Sequence, residues 1–118
     1  MVSKSTIDLD AIIPKREEER EIKLGGRTFV CSDIPVGVGI AFLRVRTDPT
    51  YSLPDAMIDA SIAMLNQGLP DGEKIDRAWL LGVLDGSTIE PITDVILSPF
   101  YEAKVGMTRP KPENQTTL

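Results

Sequence analysis

The sequence contains no histidine and only one cysteine, Cys31, and these two shortages remove several classes of function. Histidine is the commonest general base at neutral pH and the commonest metal ligand. Its absence excludes a Ser-His-Asp triad, a Cys-His pair and any zinc site that uses histidine. A single cysteine cannot form a disulfide within the chain. We therefore expect a protein that is not an enzyme and that holds no cofactor or metal.

Aromatic residues are scarce, at 5% of the chain, so the core must be built mostly from aliphatic side chains. No apolar run approaches the ~20 residues that span a bilayer, and the N-terminus lacks the basic-then-apolar pattern of a secretory signal. Acidic residues outnumber basic ones by 18 to 13, which gives a net charge of −5. Such a surface repels nucleic-acid phosphates and anionic lipid headgroups. We expect a cytoplasmic domain whose partners are neither nucleic acid nor membrane.

The 118 residues divide into an arm at 1–20, a folded domain at 21–106 and a flexible tail at 107–118. The arm holds a short apolar patch, Ile7 to Ile13, and then a charged run of the kind that is usually a solvated connector. The patch either docks on its own domain or serves as a linear binding motif. Docking is favoured because chain termini are ordered only when they are tied down. The tail is polar and proline-containing, so it buries too little to fold.

The strand signal is confined to residues 21–31, which predicts one β-hairpin. Apolar and charged residues alternate before Gly25-Gly26, and these two glycines supply the positive φ angles of a two-residue turn. Phe29 and Cys31 then share one face of the return strand. This placement favours a buried structural cysteine over a reactive thiol.

Two helices are expected directly after the hairpin. The first begins at Asp33-Ile34-Pro35 and ends at Asp48-Pro49. The apolar residues that follow its helical spacing are Val36, Ile40 and Leu43. The second helix has Ser52 as its N-cap and Gly68 at its C-terminal end, the positions that these residue types prefer.

Two further helices complete the predicted domain. The third runs from Glu73 to Asp85, and the fourth opens at Ser87-Thr88-Ile89-Glu90, which matches a capping box. Gly106 is expected to end the fourth helix, and Pro99 is expected to kink or divide it. The predicted fold class is therefore mainly α, with a small N-terminal β-hairpin followed by a bundle of about four helices.

The second and third helices carry more apolar residues than one small core readily absorbs. We therefore expect part of this surface to form a groove that receives an amphipathic helix or pairs subunits into a homo-oligomer. Tryptophan is enriched in binding hot spots, and methionine adapts to varied partners. The candidate partner-binding residues are Met57, Met64, Trp79 and Leu81. The alternative is that the Ile7–Ile13 patch covers this surface and makes it core.

The order of features along the chain is more informative than any single motif. A charged arm precedes a hairpin with the sequence Leu24-Gly25-Gly26-Arg27-Thr28-Phe29-Val30, and Asp33-Ile34-Pro35 then leads into helices and a polar tail. Over about residues 20–106 this order resembles the tail assembly chaperones of long-tailed bacteriophages.

The resemblance implies a protein of the host cytoplasm without cofactor or catalytic residue. It would bind the long tape measure protein and bring tail tube subunits to it. Two other functions stay open: a structural virion protein, such as a small head–tail connector or decoration subunit, and a bacterial adaptor domain.

Overall fold

A computed structural model of the protein describes residues 5–12 and 19–108, with side chains up to residue 103. An antiparallel β-hairpin is followed by four helices, which confirms the expected fold class. The strands are β1 (Arg20–Leu24) and β2 (Arg27–Cys31), and the helices are α1 (Val36–Thr47), α2 (Leu53–Asn66), α3 (Arg77–Val83) and α4 (Ile89–Thr108). Two short 3-10 helices lie at Leu9–Ile12 and Asp71–Glu73.

The hairpin turn is formed by the two glycines that the sequence marked. Gly25 and Gly26 have φ angles of 60° and 78°, and Leu24 pairs with Arg27 across the turn. Residues with a Cβ atom rarely adopt two successive positive φ angles, so glycine fits both positions. The return strand shows the predicted alternation, because Phe29 and Cys31 are buried while Val30 between them is exposed.

Helix α2 lies at the centre of the domain and contacts β2, α1, α3 and α4. Its start is the predicted one: Ser52 Oγ accepts from the backbone N–H of Asp55, and the Asp55 carboxylate accepts from the backbone N–H of Ser52. This reciprocal pair satisfies two of the free donors at the helix start. The buried residues of α2 are Ala56, Ile58, Ala60, Ser61, Met64 and Leu65. The small side chains among them allow neighbouring backbones to approach closely.

Helix α3 is shorter than the predicted span from Glu73 to Asp85. Asp76 accepts from the backbone N–H of Trp79 at 2.8 Å, so the helix begins one residue after this cap. The Asp76 cap fixes the start of α3, so the helix does not extend back to Glu73. The acidic residues Asp71 and Glu73 lie in a 3-10 turn instead. The predicted capping box at the start of α4 is also replaced: the Asp85 carboxylate accepts from the backbone N–H groups of Ser87 and Thr88.

Helix α4 continues through Pro99 and past Gly106, so of the two predicted effects of Pro99 the division does not occur, and the predicted end at Gly106 was wrong. Glycine lowers helix propensity but removes no hydrogen bond, so Gly106 does not by itself end the helix. The predicted flexible tail lies outside the described residues from residue 109 onward.

The proline in α4 is accommodated by donors from side chains. A proline has no N–H, which leaves the carbonyl of Val95, four residues earlier, without its helical donor. Arg20 Nη1 donates to this carbonyl at 3.1 Å, and the hydroxyl of Ser98 donates to it at 3.0 Å. Arg20 Nη2 also donates to the Ile96 carbonyl at 2.8 Å. The guanidinium therefore ties the start of β1 to α4 at the point where the backbone ladder is interrupted.

Replacing Arg20 by alanine should destabilise the domain by about 1–2 kcal/mol, the usual cost of losing a charged hydrogen-bond donor. The cost should shrink when Pro99→Ala is also present, because the alanine backbone would donate its own N–H to the Val95 carbonyl. Urea unfolding of the two single variants and the double variant measures this coupling. Equal costs of Arg20→Ala with and without the proline would contradict the role assigned to Arg20.

Tyr51 joins the C-terminal end of α1 to α2. Its hydroxyl donates to the Asp59 carboxylate at 2.5 Å, and the Arg44 guanidinium lies 4.2 Å from the centre of its ring. Burial of the phenol, strengthened by the hydrogen bond to Asp59, raises the pKa of Tyr51 to about 12. The folded domain therefore holds the neutral phenol more firmly than the unfolded chain does.

Stability should fall as the pH rises from about 10, where the unfolded tyrosine loses its proton, to about 12, where the folded one does. Below that pH window the neutral Tyr51 phenol makes its full contribution to the stability of the domain. Tyr51→Phe lacks the ionisable hydroxyl, so the difference in unfolding free energy between wild type and variant should narrow by up to about 2 kcal/mol across the window. Urea titrations at matched pH values test this, and a constant difference would contradict it.

Candidate protein-binding surface

Helix α1 presents an apolar stripe to solvent. Val36, Ile40 and Leu43 are 77%, 58% and 57% exposed, and positions four and three residues apart lie on one side of a helix. We call these three residues the outer face of α1. Large exposed apolar surfaces mark interaction sites when they are contiguous. The spacing of these residues predicted the helix correctly, but they do not pack into the core.

The opposite side of α1 is the one that packs. Val38 and Ala41 are buried, and Phe42 stacks on Phe100 of α4 with ring centres 5.0 Å apart. Gly37 also faces α2, where a Cβ atom would make an ordinary contact with the Cβ of Ala63 at 3.5 Å. Helix α1 is therefore apolar on two opposite sides, and only one of them is covered.

The charges of α1 are all basic, although the chain as a whole is acidic. Arg44 pairs with Asp48 at 3.2 Å, and Arg46 has no ion-pair partner within residues 5–12 and 19–103. The hydrogen bonds of Asp48 with Thr50 and then with Arg44 hold the pKa of that carboxyl below its ordinary value. At 100° per residue the two arginines fall on opposite flanks of the outer face. The surface thus combines an apolar centre with a positive margin.

The amino-terminal segment, residues 7–12, is also exposed, which overturns the preference for docking of this patch on its own domain. Ile7, Leu9 and Ile12 are 80%, 63% and 53% exposed, and the 3-10 helix has no buried residue. This short segment contains too few apolar side chains to fold on its own. The other reading of the sequence, a linear binding motif, fits these exposures.

Two of the predicted partner-binding residues lie on α2, and both contribute to the core. Met64 is 1% exposed, and its carbonyl accepts from the Cys31 thiol at 3.4 Å, so assigning it to a partner surface was wrong. It fills the core where β2 meets α2. Met57 is half-buried and packs against the core. The excess of apolar side chains on α2 is absorbed because other elements surround this helix.

The other two predicted residues lie on α3. Trp79 is half-buried, with its ring 5.9 Å from Phe29 in an edge-on contact, and a Cβ atom on Gly25 would meet it at 2.8 Å. It therefore supports the hairpin. Leu81 is 42% exposed, and Val83 nearby is 38% exposed. The structure thus keeps Leu81 accessible but does not join the four predicted residues into one surface.

The reactive side chains offer little chemistry in the described part of the chain. Burial raises the pKa of the Cys31 thiol, which keeps the sulfur in its unreactive neutral form. Within residues 5–12 and 19–108 no three His, Cys, Asp or Glu side chains are grouped to hold a metal ion. No helix of this part is both long and apolar enough to cross a membrane.

Comparison of the chain with protein-family models, with curated proteins and with solved structures gave no match.

Asp substitutions should separate the outer face of α1 from the core. Ile40→Asp should cost less than about 1 kcal/mol of stability, because the aspartate stays in water and loses mainly helix propensity. Met64→Asp should unfold the domain, because a buried unpaired charge costs more than a small domain can offset. Val95→Asp is the matched control, since Val95 is a 62% exposed valine on α4. Thermal melts measure all three, and an Ile40→Asp protein that unfolds with Met64→Asp would place this face in the core.

Proposed function

We propose that this chain is a non-catalytic protein-binding module that acts as a tail assembly chaperone of long-tailed bacteriophages. Its client would be the tape measure protein, and tail tube subunits would be its second partner. The observation that carries the proposal is the exposed outer face of α1 on a helix whose other side is firmly packed. The order of hairpin, Asp33-Ile34-Pro35 and helices supports the assignment to this class.

An amphipathic client helix suits this surface. Residues spaced as Val36, Ile40 and Leu43 form a ridge along which the side chains of a second helix can interdigitate. A client with acidic residues beside its apolar side would place them near Arg44 and Arg46. The packing of Phe42 on Phe100 holds α1 in place, so little conformational entropy is lost when a client binds.

The size of the surface limits the affinity of one copy. Burying the exposed portions of three aliphatic side chains contributes roughly 3–5 kcal/mol in total. This gain is comparable to the cost of bringing two molecules together, so one contact alone binds weakly. A long helical client that offers many similar sites would engage several copies at once, and this would increase the overall binding. A weak, repeated contact is appropriate for a chaperone that leaves when assembly is complete.

Co-expression of the tagged chain with the tape measure protein tests the proposal. Wild type and Val95→Asp should co-purify with the client. Ile40→Asp and Leu43→Asp should remain folded, but the amount of client recovered with them should be at least tenfold lower. Each substitution removes roughly 1–2 kcal/mol of binding free energy from the apolar contact and places a charge against an apolar partner, which accounts for this drop.

Two results would count against the proposal. If Ile40→Asp captures as much client as wild type, the outer face of α1 is not the client site. If the protein is recovered in purified particles at a fixed stoichiometry, it is a structural virion protein, such as a small head–tail connector or decoration subunit. Particles and cytoplasmic complexes from the same infected cells should therefore both be assayed.

A further inference from the structure

Two exposed apolar surfaces of this chain are complementary to each other. They are the outer face of α1 and the amino-terminal segment, and more than half of each of their large side chains is open to solvent. We infer that residues 7–12 of one copy dock on the outer face of α1 of a second copy. The chain would therefore self-associate through its arm. The inference rests on the proposed function only where it concerns the client, which would have to displace this segment.

The segment has a shape that fits the stripe. Asp8 accepts from the backbone N–H of Asp10 at 3.1 Å and starts the 3-10 turn. With three residues per turn, Leu9 and Ile12 lie on the same side of this turn. Their spacing is about 6 Å, and Ile7 adds up to about 7 Å of extended chain. The stripe from Val36 to Leu43 is about 10 Å long, so the two apolar rows are of similar length.

The charges favour this pairing over contacts with α2 or α4. The only charged residues of the segment are Asp8 and Asp10, and the only charged residues of α1 are Arg44 and Arg46. The charged side chains of α2 are both acidic, and so are those described on α4. These acidic helices repel the segment, whereas the arginines beside the stripe attract it. Arg46 is the more available partner, because Arg44 already pairs with Asp48.

A second copy is the occupant because one molecule shows both surfaces exposed at the same time. If the segment covered α1 of its own chain, both rows of side chains would be buried together, and they are not. A small contact of this kind is weak and depends on concentration. It would hold the outer face of α1 out of water until a client with a longer apolar helix replaces it.

Sedimentation equilibrium of the full chain, from about 5 to 500 µM, tests self-association without any client. The average mass of wild type should rise with concentration. Leu9→Asp on the segment and Ile40→Asp on α1 should each weaken the association at least tenfold, and Val95→Asp should behave as wild type. Leu9 lies outside the core, so Leu9→Asp leaves folding unchanged. Wild type that stays monomeric throughout, as docking within one chain would require, overturns the inference, as does a Leu9→Asp protein that associates normally.

A charge exchange tests the direction of the pairing. Arg46→Glu and Asp10→Arg should each weaken association several-fold, and the double variant should recover most of the loss because the two charges are again opposite. A double variant that is as weak as the singles contradicts the pairing.

Client capture keeps the two proposals separate. Leu9→Asp should capture the tape measure protein at least as well as wild type, while Ile40→Asp should lose both activities. Association that fails while client capture depends on Ile40 would overturn only the inference about the arm. Association that depends on Leu9 and Ile40, without any client capture, would overturn only the proposed function.

Discussion

The packing of small buried residues on α2 is the constraint on which the rest of the domain depends. Ala56, Ala60 and Ser61 are fully buried, so neighbouring elements approach this helix closely on several sides. A two-stranded hairpin and a seven-residue helix are not stable alone in water, and both lie against α2. A domain organised around one central helix covers only the inner side of each surrounding element. The exposed outer face of α1 is a direct result of this arrangement.

Features that depend on local chemistry could be predicted from the sequence. The hairpin turn follows from two adjacent glycines, and the start of α2 follows from a serine three residues before an aspartate. Each of these signals consists only of residues that are close together in the sequence. The start of α3 was misplaced because two acidic stretches compete as caps, and Asp76 prevails through its bond to the Trp79 N–H. The continuity of α4 depends on a partner 75 residues away, which no local pattern shows.

The candidate surface was harder to find because burial is a property of the whole fold. Met64 and Ile40 are both apolar residues on amphipathic spacing, yet Met64 is buried where β2 packs on α2, whereas Ile40 is 58% exposed. The sequence did contain one usable signal. Apolar residues lie on two opposite sides of α1, at Val38, Ala41 and Val45 as well as on the stripe, and such a helix needs cover on both sides. In this domain of four helices, only the central helix α2 contacts all the others and the hairpin.

The hydrogen bonds of Arg20 do more than complete α4, because Arg20 is also the residue at which the arm joins the domain. Its guanidinium fixes the start of β1 to the middle of α4, so the arm joins the domain at a fixed pivot. Ile12 lies eight residues before this pivot, and a fully extended chain of that length spans at most about 29 Å. For the proposed docking, α1 of a neighbouring copy must therefore lie within that radius of Arg20. This tether length sets how far apart two subunits can stand while still connected.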